Sequence, residues 1–349
     1  MNRPENDYSF ELHGYGGRET NWLSRCLRLT ERVKSLFEIK EAGMSVLIAG
    51  GCGFIGSHLA RKLVEKGEQV IVFHHTPNTD MIKDIVGHVK LIRGDATNIL
   101  DVLHALRDNQ VQVVYHLIAL LADISEANPS LALKVNVESL LHFLEASRII
   151  NLKRIVFASS VAVYDPFAQA PVGETAPLRP RSVYGATKVL SEFYGMHYHR
   201  AFGVDFRALR FTTLYGLGKS GGSTGICSLM IEKSALGEPV RGEVADAVTD
   251  WLYIKDAVNS LILAREVDQP RERIYNIGGS SHSVKEVADI VGRLLPDSDI
   301  RLDAKKTFPW PPAYDCAAAQ RELGYTPAFT ITEGVKDFIQ EAKKKYGQK

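Results

Sequence analysis

The sequence predicts an α/β fold: a doubly wound parallel sheet covered by helices on both faces, with a smaller C-terminal substrate-binding lobe. Three observations carry that expectation. Short β-rich runs alternate with longer helical stretches from Ser45 to Phe211, the runs are apolar nearly throughout, and a glycine turn separates the first run from the first helix. In order, SVLIAG (45–50) leads into a helix from Ile55 to Lys66. QVIVF (69–73), VKLIRGD (89–95) and VQVVYHLI (111–118) follow, then a helix from Ser130 to Ser147. RIVFASS (154–160) precedes a helix from Tyr184 to Arg200, and VDFRALRF (204–211) closes the series. Beyond it the pattern breaks at the loop GLGKSGGSTG (216–225), so residues 44–212 read as a nucleotide-binding domain and 213–349 mainly as a lobe on the sheet's carboxyl edge. Segments near 249–279 return to the first domain.

Residues 1–43 form an N-terminal extension. From Trp22, the apolar positions Leu23, Cys26, Leu27, Val33, Leu36 and Phe37 recur at helical spacing, with Arg25, Arg28, Arg32 and Lys34 opposite. Docking on its own domain or on a neighbouring subunit is the expected use of such a helix.

The chain has 349 residues, 42 Lys plus Arg against 41 Asp plus Glu, and no long single-sign run. Nothing there resembles a nucleic-acid surface, and a small molecule is the expected partner. No stretch approaches about eighteen consecutive apolar residues, so no membrane partner is expected. The four cysteines, Cys26, Cys52, Cys227 and Cys316, lack CxxC spacing and read as thiols of a reducing, cytoplasmic compartment. His116, His197 and His199 have no accompanying ligand geometry, so no metal is expected.

VLIAGGCGFIGSHLARKLVEKG places Gly50, Gly53 and Gly56 between a strand and a helix. Glycine serves where a turn needs unusual dihedrals, where backbone approaches a pyrophosphate, and where the helix packs closely on the sheet. The helix N-terminus then faces the anion, a Rossmann-type dinucleotide site. The residue that reads the adenosine ribose should end the second strand, where His74 stands. Neither the acidic residue typical of NAD nor the arginine typical of NADP is there; the lack of a following arginine favours NAD, with NADP left open. Asp95 in RGDATN either accepts from the adenine or caps the following helix.

Tyr184 and Lys188 in VYGATK lie one helical turn apart on one face. A phenol moves a proton near neutrality only if its pKa falls well below about 10, and a lysine ammonium is the expected cause. Ser160, at the end of RIVFASS, presents a hydroxyl at the same sheet edge.

Taken together, GGCGFIG, YHLIA, KVNVESLLHFLEAS, FASSVAVY, ETAPLRPRSVYGATK, LRFTTLYG, WLYIKDAV and IYNIGG resemble the NAD-dependent epimerase/dehydratase family over roughly residues 45–345. The resemblance implies an extended short-chain dehydrogenase/reductase with catalytic Ser160, Tyr184 and Lys188. It extends cofactor contact to Phe54, Ile55 and Ala119, besides Gly50, Gly53, Gly56, His74, Asp95, Tyr184 and Lys188. It also implies a homodimer paired through helices near 130–147 and 184–200, and gives Asn136 either a relay or a structural role.

Departures narrow the reaction. Val161 and Ala162 stand where the family's dehydratases carry an acidic pair, so dehydration is not expected. Three positions that help the family's epimerases hold a nucleotide diphosphate are here Thr213, Thr249 and Lys305 or Lys306, without a guanidinium fork. Arg241 reads as a surface residue or a phosphate contact. Arg210 reads as facing the site or as pairing with a carboxylate, and the run Phe308–Pro312 as an apolar wall or a rigid turn. The expected activity is hydride transfer at a CH–OH carbon of a sugar-like or small hydroxylated substrate. A nucleotide-sugar epimerase and a non-catalytic dinucleotide sensor are the alternatives.

Overall fold

The computed structural model describes residues 45–75, 78–219, 221–222 and 224–347. The helix read over 22–37, and Cys26 with it, lies outside the described residues.

Strands β1 (Ser45–Ala49), β2 (Gln69–His74), β3 (Lys90–Arg93), β4 (Val113–His116), β5 (Arg154–Ser160), β6 (Phe206–Phe211) and β10 (Ile274–Ile277) form one seven-stranded sheet in the order β10-β6-β5-β4-β1-β2-β3. Every pairing in it is parallel. Parallel pairing forces crossovers, and those crossovers supply the helices that cover both faces. The strand order reverses between β1 and β4, which opens a crevice at their carboxyl ends.

Helices α1 (Phe54–Glu65), α2 (Ile99–Arg107), α3 (Ala122–Ala127), α4 (Pro129–Leu133), α5 (Ser139–Ile150) and α6 (Val183–Phe202) connect the first six strands. The stretch read as one helix over 130–147 is interrupted: α4 and α5 are joined by a π-helical segment, Lys134–Glu138. A π segment adds a residue to the turn and rotates its side chains, a device common at functional sites. Helix α2 went unread, although Asn98 caps it by accepting from the Leu100 N–H.

After β6, β7 (Thr213–Tyr215), β9 (Val248–Tyr253) and β11 (Ser280–Ser283) form a three-stranded sheet, and β8 (Val240–Gly242) pairs with β12 (Ile300–Leu302). Between them run α7 (Gly225–Ala235), α8 (Ile254–Glu266) and α9 (Val284–Leu294); α10 (Ala317–Leu323) and α11 (Ile331–Tyr346) follow. The core splits across the sheet. One face packs Leu47, Phe73, Phe143, Phe157 and Phe206, the other Val46, Ile48, Val156, Leu209 and the later elements.

At the amino edge, Asp205 accepts from Arg154 (2.7 Å), Arg207 (3.0 Å) and Arg273 (2.6 Å). Arg207 also donates to the Ala264 and Val267 carbonyls at the end of α8, satisfying carbonyls a helix terminus leaves open. Polar chemistry at this edge is thus consumed by the fold, leaving the carboxyl edge for a ligand. Among the described residues, no helix is long and apolar enough to cross a membrane.

Candidate active site

The glycine turn sits at the end of β1 as its residue types require. Gly50 has φ +86°, a left-handed backbone that disfavours side chains. A Cβ on Gly56 would lie 2.3 Å from the Gly50 carbonyl oxygen, so the start of α1 presses directly on the turn. Gly53 differs: its φ is −83° and an added Cβ would meet only the Gly50 oxygen, at 3.2 Å. Its dihedral does not demand glycine, and the one close neighbour of an added methyl is the Gly50 oxygen, so the missing side chain leaves the outer side of the turn open to a ligand. Gly53 also caps α1 without a side chain, so the first N–H groups, from Phe54 and Ile55 onward, stay available to an anion. A dinucleotide pyrophosphate fits this cradle.

The Ala119 loop packs beside it. A Cβ on Gly50 would lie 3.2 Å from the Leu117 backbone. Asn136 pins the loop from the other side: its Oδ1 accepts from the Leu120 N–H at 2.7 Å and its Nδ2 donates to the Leu120 carbonyl at 3.1 Å and to Thr187 Oγ1 at 3.1 Å. Of the two roles the sequence left open, the geometry is that of a buried structural amide.

Asp95 does not cap α2; Asn98 does. Asp95 Oδ1 instead takes the Thr97 N–H and hydroxyl, both at 2.8 Å, a local turn that fixes its orientation. At the end of β2, His74 stands in register with Arg93 of β3. The sequence offered no arginine after the strand; pairing brings one alongside, which linear spacing does not reveal.

Ser160, Tyr184 and Lys188 converge. Ser160 ends β5, and its Oγ accepts from the Ala162 N–H at 3.2 Å and is hydrogen-bonded to the Tyr184 side chain. Ser182 caps α6 by accepting from the Gly185 N–H, which starts the helix one residue before Tyr184. Lys188 is buried; its Nζ donates to the Ala158 carbonyl at 2.6 Å and lies 4.5 Å from the Phe157 ring centre and 5.6 Å from that of Tyr184.

The charge states differ from the expectation. Burial pushes the half-buried Tyr184 phenol up to about 12, opposed by the Ser160 hydrogen bond, and pushes Lys188 down to about 7, opposed by Glu192. The ammonium faces the Tyr184 ring, and no lowering of the phenol by Lys188 is resolved in the protein alone. Desolvation is the largest influence on each of the two groups.

Behind these residues lies a polar network of which the sequence offered only Arg210, as a possible carboxylate partner. Arg210 pairs with Glu192 through Nε at 2.9 Å and Nη2 at 2.7 Å, and Ser159 also donates to Glu192. Arg210 is therefore a carboxylate partner. Glu192 falls four residues after Lys188, a spacing the sequence displays, but nothing linear indicates that its partner stands on β6.

Farther out, Thr213 and Thr249 meet at 2.6 Å between hydroxyl oxygens, and the Trp310 indole donates to Thr249 at 3.0 Å. Trp310 stacks on Phe308 at 4.8 Å and Phe308 is buried, so the proline-rich run is anchored on the protein by its aromatic side chains. Arg241 is tied to Asp299, Lys305 to Asp303, and Lys306 to Glu243. Among the described residues, no group of three or more His, Cys, Asp or Glu is placed to hold a metal.

Residues 46–278 match the family of NAD dependent epimerases/dehydratases. A putative UDP-glucose 4-epimerase of Methanocaldococcus jannaschii is 29% identical over 317 residues, covering 85% of this chain and 98% of that relative. Among solved structures, an L-threonine dehydrogenase from Cupriavidus necator superposes with a TM-score of 0.77 at 27% identity, covering 85% and 99% of the two chains. A UDP-glucose 4-epimerase from Thermus thermophilus, solved with NAD, superposes with a TM-score of 0.74 at 27% identity, covering 86% and 99%.

The glycine turn separates packing from binding in a measurable way. Gly53→Ala should leave the thermal midpoint within about 2 °C of wild type while weakening NAD binding about tenfold or more by calorimetry. Gly56→Ala should lower the midpoint as well, because its methyl has no space.

Proposed function

Because the chain belongs to the NAD dependent epimerase/dehydratase family, we propose that it transfers hydride at a CH–OH carbon of a small hydroxylated or sugar-like substrate, with Tyr184 as acid/base. It is an NAD-dependent enzyme of the extended short-chain dehydrogenase/reductase type. The observation that carries the catalytic reading is the convergence of Ser160, Tyr184 and Lys188 at the carboxyl edge, beside a glycine cradle suited to a dinucleotide.

Residues 44–212, with the returning strand β10, hold the cofactor, and the later elements supply the substrate lobe. Gly50, Gly53, Gly56, Phe54 and Ile55 receive the pyrophosphate. Asp95 reads the adenine, His74 with Arg93 sets the choice between NAD and NADP, and Ala119 lines the crevice. Bound in its oxidised form, NAD supplies the hydride acceptor and a positive charge. Ser160 orients the substrate oxygen, Tyr184 takes the hydroxyl proton as the carbonyl forms, and Lys188 holds the cofactor ribose. A low-dielectric site makes a nearby positive charge effective in lowering the Tyr184 phenol from about 12.

Contacts around the outer wall support a substrate without a nucleotide. Thr213, Thr249 and Trp310 spend their polar atoms on one another, and Arg241, Lys305 and Lys306 are engaged by carboxylates. A diphosphate is best met by guanidinium forks. The relatives named as UDP-glucose 4-epimerases favour the second reading, a nucleotide-sugar epimerase. We place the enzyme in the cytoplasm as a homodimer; the exposed Ile149 on α5 and Phe193 and Phe202 on α6 support a paired helix face.

Tyr184→Phe should bind NAD with unchanged affinity and lose turnover by about a thousandfold or more; loss of binding with activity preserved would remove Tyr184 from the chemistry. UDP-glucose should not raise the thermal midpoint of the NAD-loaded protein, whereas a rise of several degrees would establish the nucleotide-sugar reading. Phe193→Asp should convert a dimer to a monomer by light scattering, and a wild-type protein already monomeric would refute the pairing.

A further inference from the structure

Lys188 sits where an ammonium is costly to keep. It is 2% exposed, its Nζ donates to the Ala158 carbonyl, and the rings of Phe157 and Tyr184 lie beside it. Without a counter-charge, a lysine so placed gives up its proton and with it the charge its role requires.

The groups facing it come from four elements. Its own helix α6 contributes Tyr184 and, one turn on, Glu192. Strand β5 contributes Ala158 and Phe157, β4 contributes His116, and β6 contributes Arg210 through Glu192. His116 is buried and neutral, held down at about 3 by burial and by the neighbouring lysine charge, so it adds no counter-charge. Tyr184 carries none near neutrality. The Glu192 carboxylate, one helical turn on, opposes the effect of burial on Lys188.

Glu192 is held in place by buried donors. It is 2% exposed, and it accepts two parallel bonds from Arg210 and a third from the Ser159 hydroxyl. Arg210 in turn is fixed by the Tyr164 hydroxyl at 2.7 Å, and Tyr164 donates to Asn276 Oδ1 at 2.7 Å. A bidentate, doubly buried pair keeps its charges in place, because neither partner can leave without stranding the other.

We propose that Glu192 is the positioning residue for Lys188: its carboxylate, locked by Arg210 and Ser159, keeps the Lys188 ammonium charged in a dry site. The same carboxylate holds Ser159, and so the backbone that carries Ser160, against the helix that carries Tyr184 and Lys188. This assignment rests on the catalytic reading of Lys188, but its test needs no turnover.

The experiment follows the lysine side chains by NMR in NAD-free protein isotope-labelled at lysine Cε, between about pH 5 and pH 11, with Lys188 identified by its absence in Lys188→Met. Glu192→Gln should move the Lys188 titration to lower pH by about half a unit or more. The double variant Glu192→Gln with Arg210→Met, which leaves no unpaired buried charge, should do the same while remaining folded. A folded double variant in which Lys188 titrates as in wild type overturns the proposal. Failure of both variants to fold also counts against it, since the pair would then serve the fold alone. Loss of activity in Tyr184→Phe is read separately, so the two assignments can fail independently.

Discussion

The seating of α6 on the carboxyl ends of β5 and β6 is the constraint on which the site depends. A Cβ at Gly185 would fall 2.3 Å from the Ala162 carbonyl, so the helix begins in backbone contact with the turn that follows Ser160. Along the next two turns, Lys188 reaches the Ala158 carbonyl and Glu192 reaches Ser159 and Arg210. One helix is thereby stitched to two adjacent strands by three residues at four-residue spacing. Sliding α6 by a single residue would turn Tyr184 away from Ser160 and bury Lys188 without an acceptor.

Polarity inside this assembly is concentrated where it can be satisfied. The Glu192–Arg210 pair, the Asn136 amide and the Tyr164–Asn276 bond each link elements far apart in sequence, and each buried donor meets an acceptor. Such contacts add little net stability over an apolar core, but wrong arrangements are expensive, so they select one arrangement. The π-helical segment serves the same end. It turns Asn136 toward Leu120 and Thr187, tying the loop after β4 to the helix of Tyr184. The loop after β4 and the helix that carries Tyr184 and Lys188 are therefore parts of one hydrogen-bonded frame.

Burial sets the electrostatics of the Tyr184 and Lys188 pair. In the protein alone, burial disfavours charge on both Tyr184 and Lys188, leaving the phenol high and the ammonium low. The pattern YxxxK suggests a lysine lowering a tyrosine, yet the lysine lies against the ring face rather than the hydroxyl. In the proposed reading, the positive charge of a bound cofactor would favour release of the Tyr184 proton.

Much of the molecule was legible in the linear sequence, and for definite reasons. Strand runs 45–50, 69–73, 154–160 and 204–211 are apolar because both faces of the sheet are covered, and the glycine spacing 50, 53, 56 reflects local turn geometry that acts within seven residues. Ser160, Tyr184 and Lys188 were readable because a strand end and one helical turn place them by local rules alone. What only the tertiary structure decided are contacts between distant segments: Arg93 beside His74 through strand register, Arg210 on Glu192, and Thr213 and Trp310 on Thr249. Linear periodicity specifies which face of an element is buried, but not which element it meets, nor how desolvation there outweighs a neighbour's charge.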